Sequence, residues 1–120
     1  MKIAVTTSGT DLEAPFEARF GRAPHFLIYD LEQSAFEVID NQANAQAARG
    51  AGIQAAQSVC QRGAQVLLTG HCGPKAWDVL QAAGVEVFNI QASTVANALE
   101  QYNNGSLKPA GGANVRGHWS

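Results

Sequence analysis

Apolar residues fall along the chain in short runs, each closed by Gly, Pro, Asn or Asp. Ile3-Ala4-Val5-Thr6-Thr7 reads as a short buried strand that stops at Ser8-Gly9. His25-Phe26-Leu27-Ile28-Tyr29-Asp30 is a second strand, and Ala35-Phe36-Glu37-Val38-Ile39-Asp40 is a third with clean alternation. Only Leu31 to Ser34 separates them, which predicts a hairpin. Val66-Leu67-Leu68-Thr69-Gly70 is too apolar to have a wet face and belongs inside the sheet. Val85 to Ile90 is the last strand.

A period near 3.6 appears in three other segments. From Gly50-Ala51-Gly52 to about Arg62, Ile53, Ala56, Val59 and Cys60 share one face, and Gly63 is the stop. A second helix starts at Gly73-Pro74, where Pro needs no N–H, turns Trp77 and Leu80 inward and ends at Gly84. Ser93 is the expected cap of the third, whose stripe is Val95, Ala98, Leu99 and Tyr102 before Asn103-Asn104-Gly105. Asn41 to Arg49 has no clear apolar face. Residues 8–24 are a long polar connection, and Phe16 and Phe20, four apart, suggest a short helical turn.

The order β-β-β-α-β-α-β-α predicts an α/β fold. Its three layers hold a five-stranded mixed sheet of order 3-2-1-4-5, with strand 2 antiparallel and right-handed crossovers in the second half. One domain spans residues 1–108, and 109–120 is expected to be a loose tail. Ligands in such sheets bind beyond the carboxyl ends of the strands where the winding reverses. Here that brings Thr6-Thr7-Ser8-Gly9 towards Thr69-Gly70-His71-Cys72-Gly73-Pro74.

Composition narrows the class. At 120 residues the chain fits a single domain, and 46% apolar residues with 15% charged exclude a disordered one. A formal charge of −2 argues against non-specific nucleic-acid binding. No apolar run approaches the ~20 residues of a membrane span. The N-terminus enters a strand directly, without a signal-peptide pattern, so a cytoplasmic protein is expected. Two cysteines make no disulfide scaffold. The charge is uneven: seven acids and three bases lie between Met1 and Asp40, whereas Asn41 to Trp77 has no acid against Arg49, Arg62 and Lys75. That second stretch suits an anion.

The Gly70–Pro74 turn carries most of the candidate chemistry. Gly70 and Gly73 allow close backbone approach, and the helix start presents N–H groups and the positive end of its dipole. His71 and Cys72 add a nitrogen and a sulfur donor as candidate metal ligands. A thiol near a helix N-terminus is expected to have some thiolate character. The plainer alternative is a small buried Cys beside a satisfied loop His. Arg19 and Arg22 flank Phe20 and Gly21 and suit an oxyanion, or else pair with Glu13 or Glu17. Ser8, His25 and Lys75 complete the candidate cofactor-binding set. There is no phosphate-loop signature, no Cys-x-x-Cys, no closed zinc spacing and no nucleophile elbow, so no catalytic constellation is visible.

Several segments follow one family pattern. They are Met1-Lys2-Ile3-Ala4-Val5, the run from Arg19 to Asp30, Gly50-Ala51-Gly52-Ile53, Gly70-His71-Cys72-Gly73-Pro74, Ala98-Leu99-Glu100-Gln101-Tyr102 and Gly105-Ser106-Leu107. In these the chain resembles the dinitrogenase iron–molybdenum cofactor biosynthesis family, also called nitrogenase accessory factor-like. The resemblance implies a ribonuclease H-like α/β/α fold and a non-enzymatic carrier of an anionic molybdenum-containing metal–sulfide cluster. A mixed molybdenum–copper sulfide is the composition it favours, with an iron–molybdenum–sulfur precursor as the other. Such a cargo already carries inorganic sulfide. It asks for N–H donors, the charge of Arg19, Arg22 or Lys75 and an apolar wall such as Phe20, rather than four thiolates. Protein partners in cluster delivery are implied too. The alternative function is a regulatory or scaffold protein that binds a partner through residues 8–24.

Overall fold

The structure is a computed structural model, and it describes residues 1–46, 51–105, 107 and 109. The expectations for Arg49, Gly50 and all of the tail after Pro109 lie outside the described residues. Five strands form one sheet of order β3-β2-β1-β4-β5: β1 (Lys2–Thr7), β2 (His25–Asp30), β3 (Ala35–Asp40), β4 (Val66–Thr69) and β5 (Glu86–Asn89). β2 is antiparallel to both neighbours, with Lys2 opposite Asp30 and Thr7 opposite His25. β1, β4 and β5 run parallel. The expected order and directions are therefore those observed, and helices cover both faces of the sheet in a three-layer α/β/α arrangement.

Period-2 alternation divides the apolar residues between two cores. Ala4, Phe26, Ile28, Leu67 and Val87 face helices α2 (Ala51–Gln61) and α3 (Pro74–Ala82), where they meet Ala55, Ala56, Val59, Ala76 and Leu80. Ile3, Val5, Leu27, Leu68 and Phe88 face α4 (Val95–Asn103) and meet Val95, Ala98 and Leu99. The central strands β1 and β4 are buried almost throughout, because layers lie on both sides. β3 is an edge strand, and its first three residues are exposed.

Three local expectations change. The buried face of α2 is Ala51, Gly52, Ala55, Ala56 and Val59, whereas Ile53 and Cys60 are only half-buried. Small side chains let this helix lie close to α3 and the sheet. A short helix α1 (Gln42–Ala45) forms where no apolar face predicted one. It is held by polar ties: buried Asn41 donates from Nδ2 to Ala23 O at 2.8 Å, and Arg22 Nη1 donates to Ala45 O at 2.9 Å. The cap of α4 is Thr94, whose hydroxyl accepts from Asn97 N at 3.1 Å, and not Ser93. Helices α2, α3 and α4 do end on the expected glycines, Gly63, Gly84 and Gly105, all with positive φ.

Candidate functional site

Within the connection of residues 8–24, which is bends and turns at its two ends, residues 15–19 run as an extended strap over the carboxyl ends of β1 and β4. Thr7 bridges Phe16, Pro15 bridges Thr94, and Arg19 forms a parallel bridge with His71. Gly70 N and His71 N both donate to Ala18 O, at 2.9 and 2.7 Å, and Phe20 N donates to His71 O at 3.1 Å. The Thr6 hydroxyl donates to Glu17 O, and the Thr69 hydroxyl to Ala18 O at 3.3 Å. This corrects the helical turn expected for Phe16 and Phe20. The backbone is extended there, and the two rings go to opposite layers: Phe20 is buried in the α2–α3 core and Phe16 packs on the α4 core. The reversal point between β1 and β4 is thus occupied by the chain itself.

The open space lies one strand further along, beyond β4 and β5. It is a hollow of about 430 Å³ lined by Phe16, Ala18, Gly70, His71, Asn89, Ile90, Gln91 and Ala92. Asn89 closes β5, and its Nδ2 is buried without a hydrogen-bond partner among the described residues. A buried donor left unmatched is costly and marks a place where an acceptor fits. Sequence reasoning passed over Asn89. The rule that ligands sit at the carboxyl ends of parallel strands includes β5, and a polar residue closing an apolar strand was the available signal.

The predicted site residues separate into three groups. Gly70 and His71 line the hollow. Arg19 lies beside it through the His71 bridge, but its guanidinium Nε is 3.3 Å from Glu17 Oε2, the plainer alternative for this residue. Arg22 is engaged by α1. No Lys or Arg is among the residues lining the hollow, so the expected local electropositive lining is not there. Ser8 is exposed and donates its backbone N–H to Pro15 O at 3.2 Å. His25 opens β2 with Nδ1 buried and unmatched among the described residues, and its Nε2 is 3.5 Å from Gln42 Nε2.

Gly73 caps α3 without a side-chain hydrogen bond, Pro74 occupies the first turn, and Lys75 beside it is exposed. By contrast, the first N–H groups of α4 are covered: Val95 N donates to Ala14 O, and Ala96 N to Leu12 O.

Cys72 overturns the thiolate expectation. It is buried in the α2–α3 core, and desolvation pushes its thiol up to about 12. A helix N-terminus lowers a thiol pKa, but here burial outweighs it. His71 and Cys72 therefore do not converge as a ligand pair, since one lines the hollow and the other joins the core. No group of three or more His, Cys, Asp or Glu able to hold a metal ion occurs among the described residues. None of their helices is long and apolar enough to cross a membrane.

A covered mixed sheet with a partly polar hollow at its strand ends defines a small α/β protein with a candidate ligand site. Residues 1–105 match the family model described as dinitrogenase iron–molybdenum cofactor, and the chain belongs to that family. It is similar to the apo form of the orange protein from Desulfovibrio gigas, at 43% identity and a TM-score of 0.91, with 95% of this chain and 96% of that one covered. A Thermotoga protein of the DUF35 family, given a NifB assignment, is 33% identical with a TM-score of 0.84 over 97% and 98% of the two chains. An uncharacterised protein of Methanocaldococcus jannaschii is 25% identical over 111 residues, 90% of each chain.

Proposed function

We propose that this chain is a non-enzymatic carrier for an anionic molybdenum-containing metal–sulfide cluster, with molybdenum–copper sulfide favoured over an iron–molybdenum precursor. The carrying observation is the hollow beyond β4 and β5, lined by His71, Gly70, apolar walls from Phe16 and Ile90, and Asn89, whose side-chain amide has an unmatched donor. A cluster whose metals already hold sulfide needs donors and a dry wall, and those are what the lining offers. Family membership and the likeness to the orange protein, whose structure is described as an apo form, support the reading.

In this reading Asn89 Nδ2 donates to a sulfide, and His71 either donates to a sulfide or binds an open metal position. Arg19 supplies charge at the rim, in competition with Glu17. Lys75 and the α3 start add longer-range attraction, which salt screens. Cys72 is a core residue and takes no part. The scaffold alternative is less well supported, because the strap it would use spends its backbone groups on β1, β4 and α4.

The test is anaerobic loading of the purified chain with tetrathiomolybdate and Cu(I), then desalting, metal analysis and a visible spectrum. Retained molybdenum and copper with a charge-transfer band are expected. Asn89→Ala and His71→Ala should each weaken retention by about tenfold, the worth of one strong donor. A colourless, metal-free product would overturn the carrier reading, and undiminished retention in both variants would move the cargo out of this hollow.

A further inference from the structure

The two faces of the sheet are unequally covered: α2 and α3 lie on one, and α4 alone lies on the other. On the α4 side the cover runs out over β2 and β3. A second hollow, of about 350 Å³, opens there between α4 and Tyr29, with Leu12, Ala96, Leu99 and Glu100 in its wall. Phe36 is the cross-strand partner of Tyr29, and Val38 packs on the same core. The exposed large apolar side chains among the described residues are Met1, at 43%, and Phe36, at 42%. Met1 is not part of this hollow: its Sδ accepts a hydrogen bond from the hydroxyl of Tyr102, whose ring packs edge-on against Phe88 of β5. Phe36 thus extends the apolar surface of Tyr29 and Val38 beside the hollow, which makes this flank of α4 a candidate interaction surface.

We infer that this surface docks a basic amphipathic helix of another protein, laid beside α4 in the unfilled position of that layer. Two other occupants fit less well. The described residues after α4 lead away: Leu107 packs on the α4 core, and Pro109 lies against Gly84, Val85 and Glu86, at the opposite edge of the sheet. A second copy would set acid against acid. Glu100 lines the hollow, and exposed Asp11 and Glu13 flank Leu12 in the chain, while no Lys or Arg lines it. Glu100 is also the single charged residue of α4. An apolar stripe at helical spacing fits the groove, and flanking Lys or Arg matches its rim. This inference does not depend on the cargo reading, because no residue is shared with the hollow at the strand ends.

The test uses the 15N-labelled full chain without metal and a synthetic helix of about five turns, with a Leu stripe and Lys flanks. A scrambled peptide of the same composition and an acidic-flanked peptide serve as controls, and sedimentation velocity follows the chain alone. Shift changes are expected at Leu12, Tyr29, Phe36, Leu99 and Glu100, with none at His71 or Asn89. Phe36→Thr and Glu100→Lys should each weaken binding by about tenfold, as truncation of an interface anchor does. Glu100 is exposed, so its variant keeps the test intact if Phe36→Thr disturbs the strand. Equal binding of the scrambled or acidic peptide, absence of binding, or shifts centred on α2 and α3 would overturn the proposal. So would a concentration-dependent dimer that Phe36→Thr abolishes, which would make a second copy the occupant.

Discussion

A methyl group added to Gly70 would lie 2.8 Å from Ala18 Cβ and 2.9 Å from Ala18 Cα and O. The neighbour is backbone that also accepts the Gly70 and His71 N–H bonds, so it cannot give way cheaply. Gly70→Ala is expected to cost about 1–3 kcal/mol, as overpacking does, read as a lower denaturant midpoint at unchanged slope. Cys72 shows a competition resolved by burial. Its thiol pKa rises from 9.0 to about 12 in the folded chain. Above pH 9 the unfolded state loses this proton first, so stability is full below that pH and falls as pH rises towards 12. The slope approaches about 1.4 kcal/mol per pH unit, and Cys72→Ala should remove that component from the alkaline limb of a urea-midpoint series. The sequence placed Cys72 at a helix start but did not say which way its side chain turns. That direction depends on how α3 seats on α2, a tertiary fact.

At the scale of elements, the strands were legible because each carries its own period and its own stop. β2 and β3 begin and end at the expected residues, and the hairpin between them forms. The strap was not legible, because its conformation is set by distant partners. Phe16 N donates to Ser93 O, and Glu17 N to Thr6 O. A four-residue Phe spacing says helix only when nothing stronger competes, and here sheet-like pairing wins. Helix α1 was missed for a related reason: side-chain ties from Asn41 and Arg22 hold it, not an apolar stripe. The cap of α4 shifted by one residue because Ser93 and Thr94 are both competent and only one has the extended backbone of a cap ahead of Val95. Thr94→Ala is expected to cost about 1 kcal/mol and Ser93→Ala much less, measured as paired thermal midpoints.

For the whole molecule, alternation and connection rules gave the sheet order and both layers, and with them the edge where ligands gather. They did not give the occupied reversal point. The strap takes it, and the free space moves to β5, bringing in Asn89 and leaving Arg22 and Cys72 in structural roles. Charge follows the same cause: of the two alternatives open for Arg19 the fold takes the Glu17 pair, and Arg22 donates to Ala45 O, a partner that no local spacing signals.

The strap also joins the two cores, with Phe16 in one and Phe20 in the other, and between them Glu17 bonds to β1 and Ala18 to Gly70 and His71 just after β4. Surface connections usually exchange their amide hydrogens through small local openings. Here Phe20, Gly70 and His71 cannot open without parting both layers from the sheet. Their deuterium uptake should therefore be as slow as that of Val5 and Leu68, reporting global unfolding from within a loop.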